Sequence, residues 1–375
     1  MDSIKIIHTA DLHLGSGRTA VKNGKAEIEN TFFKIIDLCE TQKVDFLLIA
    51  GDLFDTPFVS PDLFEKVSSA ISKVPETTVV ISPGNHDCAC PGSVYLKNKF
   101  PENTVIFSSF LEYVDFPEKK TRIFGAGFTD RFESLPLLHT PDDINPGFIN
   151  ICVLHGELTA TTAQSTYNPI PPSAIEDSGF DYIALGHIHK RSNIEVLGST
   201  RFSYCGCPDG MGFDDTGSRG IYLGNISKTE CNLEYMELSS RQYILESFNI
   251  SSFNNSFEIS DALFKHIKDS SPDRFSDNIY RITLVGDIPS DMTIELSQIK
   301  SILAEKLFYL ELIDGTTTNL LDVERFKDEP SLRGIFVKKM LEKIENAAPG
   351  ERQLYKDALK FGLNSFTKGV SLDDY

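Results

Sequence analysis

Three absences bound what this chain of 375 residues does. No run approaches the roughly 18 consecutive apolar residues of a membrane-spanning helix, so no membrane partner is expected. The CxxC spacing of zinc ribbons is missing, and seven cysteines, an odd number in a chain this long, do not make a disulfide framework. The pairs Cys88/Cys90 and Cys205/Cys207 have the wrong spacing for an ordinary four-thiolate zinc site, and reduced thiols are expected. Basic charge is scarce: 36 Lys and Arg against 54 Asp and Glu leave a formal charge of -18. Nucleic-acid binders normally carry a basic surface, so the long-range field of this chain opposes DNA. The first apolar strand begins at Ile4, which leaves no space for a secretory signal before it, and a cytoplasmic location is expected.

A chain of this length is expected to form two or three units, and 41% hydrophobic with 24% charged residues is the balance of a globular protein. Residues 4–10, 44–50 and 78–81 are short apolar runs that read as buried strands. Between them, residues 27–40 place Ile28, Phe32, Ile35, Ile36 and Cys39 at helical spacing, and Ser60-Pro61 is an N-cap followed by proline, opening a helix through residue 71. Strand alternating with helix implies a parallel sheet covered on both faces, whose ligands gather beyond the carboxyl ends of the strands.

Further strands are expected at 104–107, 121–124, 148–154 and 181–185, with residues 201–205, 220–223 and 232–237 completing a second, more antiparallel sheet. Residues 159–172, rich in Thr and Pro, read as a surface loop. The first domain closes near residue 240, and a polar linker is expected at 249–256. A small α/β domain follows, then an amphipathic helical tail interrupted at Pro349-Gly350. The apolar stripes of that tail either pack on their own domain or offer a docking face to a partner helix.

The strands end in polar residues that a core would not accept. Asp11-x-His13, Gly51-Asp52, Gly84-Asn85-His86-Asp87, His155 and His187-x-His189 each follow an apolar run, and five of the eight histidines fall there. Residues two apart in an extended turn point the same way, so Asp11 and His13 are able to face one ion. His8, inside the first strand, reads as a core histidine with its hydrogen bonds satisfied.

A set of carboxylate, imidazole and amide donors without thiolate suits two divalent ions such as Mn²⁺, Fe²⁺ or Zn²⁺. Two ions roughly 3.5–4 Å apart need a bridging carboxylate and acidify the water they share. Asp52 is the natural bridge, because Gly51 lets its backbone approach. Asp11, His13 and His189 then complete the first ion, and Asn85, His155 and His187 the second. His86 is left without a metal and is suited to protonate the alkoxide expelled from a phosphoester. Asp87, next in sequence, is expected to aim the His86 ring.

The ordered set DxH, GD, GNHD, H and GHxH resembles that of the calcineurin-like metallophosphoesterases over roughly residues 4–240. The longer stretches HTADLHLGS, LLIAGDLFDTP, SPGNHD, LHGE, LGHIHK and YCGCPDGMGFDDTGSRG resemble the SbcD-like nuclease subunits of bacteria, most of all their YhaO-like branch. These are relatives of the archaeal and eukaryotic meiotic-recombination nuclease. The resemblance implies an α/β fold: a sandwich of two mixed β-sheets flanked by helices over residues 1–240, a small α/β capping domain over 250–333, and a helical tail over 334–375 that binds an SMC-like (SbcC-like) ATPase. It implies manganese as the ion and the metal and acid roles above at the same positions. It also implies DNA ends or single-stranded DNA as substrate, and a homodimer formed through helices near residues 61–73 and 91–99. Asp55 stands where the archaeal and eukaryotic relatives carry a second active-site histidine, and Cys205 and Cys207 stand where the family has proline or small polar residues. Those two thiols are expected to be inert.

The leading function is thus a two-metal DNA exonuclease/endonuclease in double-strand break repair, working with the ATPase. One alternative is a small-substrate metallophosphatase or cyclic-nucleotide phosphodiesterase, although protein phosphatases of the superfamily read GNHE followed by arginine rather than GNHD followed by Cys88. The other is a structural subunit that bridges DNA, against which a complete donor set stands.

Overall fold

The computed structural model describes residues 3–16, 21, 24–289, 292, 294–318, 323–348 and 351–368. Pro349 and Gly350, the expected break in the tail, lie outside them, as do residues 369–375. The chain divides into two compact units, Met1–Tyr243 and Ile244–Tyr375.

Unit one holds two six-stranded mixed sheets. In the first, β1 (Ile4–Thr9), β2 (Phe46–Ile49), β3 (Thr78–Ile81) and β4 (Thr104–Ile106) run parallel. Helices α1 (Gly24–Gln42) and α2 (Pro61–Ser72) supply two of the crossovers, and a short α3 (Val94–Lys97) follows β3. Ser60 caps α2, its Oγ accepting from the Leu63 N–H at 3.4 Å, with Pro61 opening the helix. In the second sheet β6 (Thr121–Ala126), β7 (Ile149–His155), β10 (Tyr182–Gly186) and β12 (Thr200–Tyr204) are parallel, with β5 (Glu112–Phe116) and β11 (Glu195–Leu197) antiparallel at the two edges. The short β8 (Glu157–Leu158) and β9 (Pro169–Ile170) pair with each other, and α4 (Pro172–Glu176) precedes β10.

Strands β13 (Gly220–Ile226) and β14 (Cys231–Glu237) correct one expectation, because they extend the first sheet, antiparallel beside β1, rather than the second. Residues 159–172 are also more than a surface loop: Asn168 and Ile170 are buried, and the Asn168 amide donates to the His155 carbonyl at 2.8 Å.

Alternation sends Ile6, Leu48 and Val80 to one face of the first sheet and Ile7, Leu47 and Val79 to the other. The first set meets Ile151, Val153, Tyr182 and Ala184 of the second sheet. The second packs on Phe32, Ile35, Val67 and Ile71 of the helices. The outer face of the second sheet, with Cys152, Leu154 and Ile183, is covered by Phe128, Ile175 and Phe180. Between the sheets lies His8, fully buried, with Nε2 3.2 Å from the Leu185 carbonyl and Nδ1 2.8 Å from the Tyr182 hydroxyl. A carbonyl only accepts, so Nε2–H donates to it and Nδ1 accepts from Tyr182, whose oxygen lies 2.7 Å from Ser203 Oγ. Burial lowers the His8 pKa to about 3 and keeps the ring neutral, as a core histidine requires.

Unit two is built on β15 (Tyr243–Asn249), β16 (Ile279–Ile288) and β17 (Tyr309–Thr318), the last two parallel. Helices α5 (Ser256–Ser270) and α6 (Leu296–Leu303) cover the sheet through Ile259, Leu263, Ile299 and Leu303. The polar residues 249–256 are not a link between domains: β15 already belongs to this sheet, Ile250 is buried, and Asn255 caps α5. After α7 (Val323–Phe326), helices α8 (Leu332–Asn346) and α9 (Arg352–Lys368) meet through Val337, Leu359 and Leu363. The tail stripes thus bury part of their apolar surface against each other, while Leu332, Ile335, Leu354 and Phe361 stay exposed. No described helix is long and apolar enough to cross a membrane, and all seven cysteines are free.

Replacing Tyr182 with phenylalanine leaves His8 Nδ1 without its donor between the sheets. Such a loss costs roughly 1–3 kcal/mol, which urea denaturation is expected to read as a lower midpoint with an unchanged slope.

Candidate metal centre

The loops that follow β1 and β2 remain zipped beyond the regular strands. Asp11, His13 and Leu14 donate their N–H groups to the carbonyls of Gly51, Asp52 and Leu53 at 3.0, 2.9 and 2.9 Å. To turn their side chains inward, Asp11, His13 and Asp52 take left-handed φ values of 53°, 46° and 51°, and His187 takes 97°. That conformation costs a residue with a Cβ about 1 kcal/mol or more. Two glycines make the remaining room. A Cβ on Gly51 would collide with the His155 ring, and one on Gly84 with the Asp52 carboxylate.

Eight of the nine residues singled out in the sequence converge at the carboxyl ends of strands from both sheets. On one side, His13 Nε2 and His189 Nε2 face each other at 3.3 Å, and Asp11 joins them in one compact group of donors. On the other, Asn85 Oδ1 lies 2.9 Å from His155 Nε2 and 3.2 Å from His187 Nδ1. Asp52 stands between: its Oδ2 is 3.7 Å from His13 Nε2 and 3.5 Å from His155 Nε2. Its Oδ1 accepts the His86 backbone N–H at 2.9 Å.

The outward nitrogens orient the rings. His155 Nδ1 lies 2.9 Å from the Ala50 carbonyl and donates to it, which turns Nε2 into the centre. His189 Nδ1 lies 3.0 Å from Asp215 Oδ1 and His13 Nδ1 3.4 Å from Asp55 Oδ1. The backbone N–H of His187 reaches both Asp11 oxygens at 3.1 and 3.2 Å. Buried nitrogen and oxygen donors that converge on shared space, with a carboxylate between the two sets, fit divalent ions.

Burial raises the Asp11 pKa. Burial pushes Asp52 the same way, but the rings of His155, His13 and His86 outweigh it and hold that carboxyl below its ordinary value. Burial alone would lower His13 and His189. Asp55 and Asp52 instead raise His13, and Asp215 leads the groups that raise His189 to about 11. Partial burial, with the neighbouring His155 ring, lowers His187 to about 3.

His86 stands edge-on to His13, ring centroids 4.6 Å apart, and burial lowers its pKa against the pull of Asp52. The expectation that Asp87 aims this ring needs correction. Asp87 is fully buried; its Oδ1 accepts from Gly84 N–H at 2.8 Å, and its Oδ2 from Phe54 N–H at 3.1 Å and the Tyr95 hydroxyl at 2.5 Å. It braces the turn rather than the ring. The carboxylate that faces His86 Nδ1 is Asp55, at 3.8 Å.

Sequence reasoning also missed Asp215 and Tyr167. Asp215 is one of two adjacent aspartates in a glycine-rich loop, and only its burial distinguishes it from Asp214. Tyr167 lies against His187, ring centroids 4.9 Å apart, and the half-exposed Phe132 packs on Tyr167 at 5.7 Å. An aromatic surface therefore leads outward from the centre, and no motif marks it.

Residues 4–191 match the family profile described as calcineurin-like phosphoesterase. The chain belongs to that family. Calcineurin-like phosphoesterases are metal-dependent hydrolases of phosphoester bonds that use divalent ions, and the converging donors here form the candidate site for them. The chain is 30% identical to the metallophosphoesterase YhaO of Bacillus subtilis (strain 168) over 258 residues, 63% of this chain and 60% of that protein. It is 26% identical to the DNA double-strand break repair protein Mre11 of Methanococcus maripaludis, over 60% of this chain and 63% of the relative. It is 23% identical to a subunit of the SbcCD nuclease of Staphylococcus epidermidis, over 71% of this chain and 81% of the relative. The chain thus spans less than two thirds of the first two relatives.

The His189 pKa is raised to about 11 and that of His13 is raised as well, so an ion seated on their ring nitrogens competes with protons there; uptake is expected to release protons and to tighten as pH rises. Calorimetry in two buffers of different ionisation enthalpy checks this; uptake with no proton release would contradict an ion at these rings.

Proposed function

We propose that the protein is a two-manganese phosphodiesterase acting on DNA ends or single-stranded DNA, in double-strand break repair with an SMC-like ATPase. The observation that carries the reading is Asp52, whose Oδ2 faces His13 on one side and His155 on the other. In this reading Asp11, His13, Asp52 and His189 hold one ion, and Asp52, Asn85, His155 and His187 the other. Bound there, the pair supplies Lewis-acid polarisation of the phosphoryl oxygens and acidifies water at neutral pH. An oxygen and nitrogen donor set with no thiolate suits Mn²⁺.

The chain's own residues do the rest. His86 lies outside both donor sets and gives its proton to the departing alkoxide. Its lowered pKa makes the imidazolium a stronger acid toward that oxygen. Asp55 faces His86 Nδ1 and so favours the imidazolium form before transfer. Tyr167 and Phe132 offer a stacking surface to an unpaired base beside the scissile phosphate.

Of the relatives, one is named for break repair and one as part of a nuclease, which supports DNA over a small ester. The charge of -18 favours the small-substrate reading, and a DNA-binding ATPase partner would offset it. The exposed side chains of α8 and α9 give that partner a face. Phe58 and Leu96, exposed beside α2 and on α3, support a homodimer through those helices.

His86→Ala is expected to abolish Mn²⁺-dependent cleavage of end-labelled DNA while two ions remain bound. Lost ions with retained activity would overturn the assignment. Tyr167→Ala is expected to raise KM for single-stranded DNA about tenfold, from ~1–3 kcal/mol of lost stacking, with hydrolysis of bis(p-nitrophenyl) phosphate unchanged. Equal loss on both substrates, or fast partner-free turnover of a cyclic nucleotide with long DNA ignored, would favour the small-substrate enzyme.

A further inference from the structure

Behind His189 stands one more buried carboxylate. Asp215 lies in the loop between β12 and β13 and is 5% exposed. Its Oδ1 is 3.0 Å from His189 Nδ1, and its Oδ2 accepts from the Met211 N–H at 3.2 Å. Arg219, itself buried, fixes this loop. Its Nε donates to the Asp215 carbonyl at 3.2 Å, its Nη2 to the Thr216 carbonyl at 3.1 Å, and its Nη1 to the His189 carbonyl. Nη2 also comes within 3.8 Å of Asp215 Oδ1. One guanidinium therefore ties the backbone of His189 to both the backbone and the carboxylate of Asp215.

His189, Cys207 and Asp215 lie close enough together to resemble a thiolate-containing cation site. The Arg219 guanidinium argues otherwise. Its Nη1 lies 3.4 Å from Cys207 Sγ, and a fixed positive charge beside the thiol and the carboxylate opposes a metal ion there. The group is a hydrogen-bonded brace that ends on one imidazole.

We infer that Asp215 is the positioning residue of His189: by accepting from Nδ1–H it holds the ring so that Nε2 points toward His13 and offers its lone pair there once an ion displaces its proton, and Arg219 holds Asp215 in place to do so. The inference rests on the two-ion reading, in which His189 holds the first ion. The second ion does not depend on this brace, because His155 is oriented by the Ala50 carbonyl at the end of β2. A carboxylate behind a ligating imidazole raises its basicity as well as fixing its angle, and losing such a partner typically costs roughly 10–100-fold in metal affinity.

The test titrates Mn²⁺ into the full chain and follows the free-ion EPR signal, with thermal unfolding measured in parallel. Wild type is expected to take up two ions. Asp215→Leu, which keeps the branched shape but cannot accept a hydrogen bond, should retain one ion at wild-type affinity and bind the other roughly 10–100-fold more weakly. Asp215→Asn, whose amide oxygen still accepts, should fall between. Unchanged affinity for both ions in Asp215→Leu would overturn the inference, as would equal loss of both ions in the two variants with a lowered Tm. Wild type that binds fewer than two ions would overturn the two-ion reading first. Should Asp215→Leu fail to fold, the histidine-¹⁵N spectrum decides: a downfield Nδ1-bound proton present in wild type and shifted in Asp215→Asn supports the inference, and its absence from wild type sinks it.

Discussion

A buried carboxylate with imidazoles on both sides is the constraint around which unit one is arranged. Asp52 is 2% exposed and sits where the loops after β1, β2 and β3 meet the end of β7. An anion removed from water is costly unless neighbours compensate it. Here the compensation comes from His13, His155 and His86, each delivered by a different segment. The loops after β1 and β2 must run side by side to bring His13 within reach, and the turn at Gly84 must pass close enough to put the His86 N–H on Oδ1. His155 arrives from the second sheet, so the sheets must also hold their spacing. The bond between His8 and Tyr182 spans that same layer.

The braces around the centre are mostly backbone atoms and carboxylates, some in direct contact with a donor residue, as at His155 and His189, and others one step removed. Asp87 pins Gly84, Phe54 and Tyr95 in one knot below the turn. Burial, with Asp52 close by, pushes its pKa up to about 6. Asn168 ties the segment that carries Tyr167 to the end of β7 through the His155 carbonyl, and to the segment at Leu137 by accepting that residue's N–H. Rigidity at the centre is thus built from the same groups that satisfy the buried backbone.

Much of this was legible in the sequence because it is local. An apolar run followed at once by Asp-x-His or Gly-Asn-His states both the strand and its end, and Ser60-Pro61 states the start of α2. What was not legible depends on partners far along the chain. Nothing within residues 220–237 says that they pair beside β1 rather than β12, since an antiparallel partner is chosen by the tertiary fold. The same limit hid the role of Asp87, fixed by Tyr95, and that of Asp215, fixed by Arg219 and His189. The polar run at 249–256 misled because composition alone cannot separate a turn inside a sheet from a tether between domains.

The left-handed backbone at Asp11, His13, Asp52 and His187 has a further meaning. Folding alone would favour glycine at each of these positions, so the chain gives up stability at four of the places where it presents its donors. Mutational drift without a use for the centre would run downhill, toward glycine and toward a more stable, inert fold. A chain that still carries aspartate and histidine at all four is holding a position that selection for stability would not hold on its own.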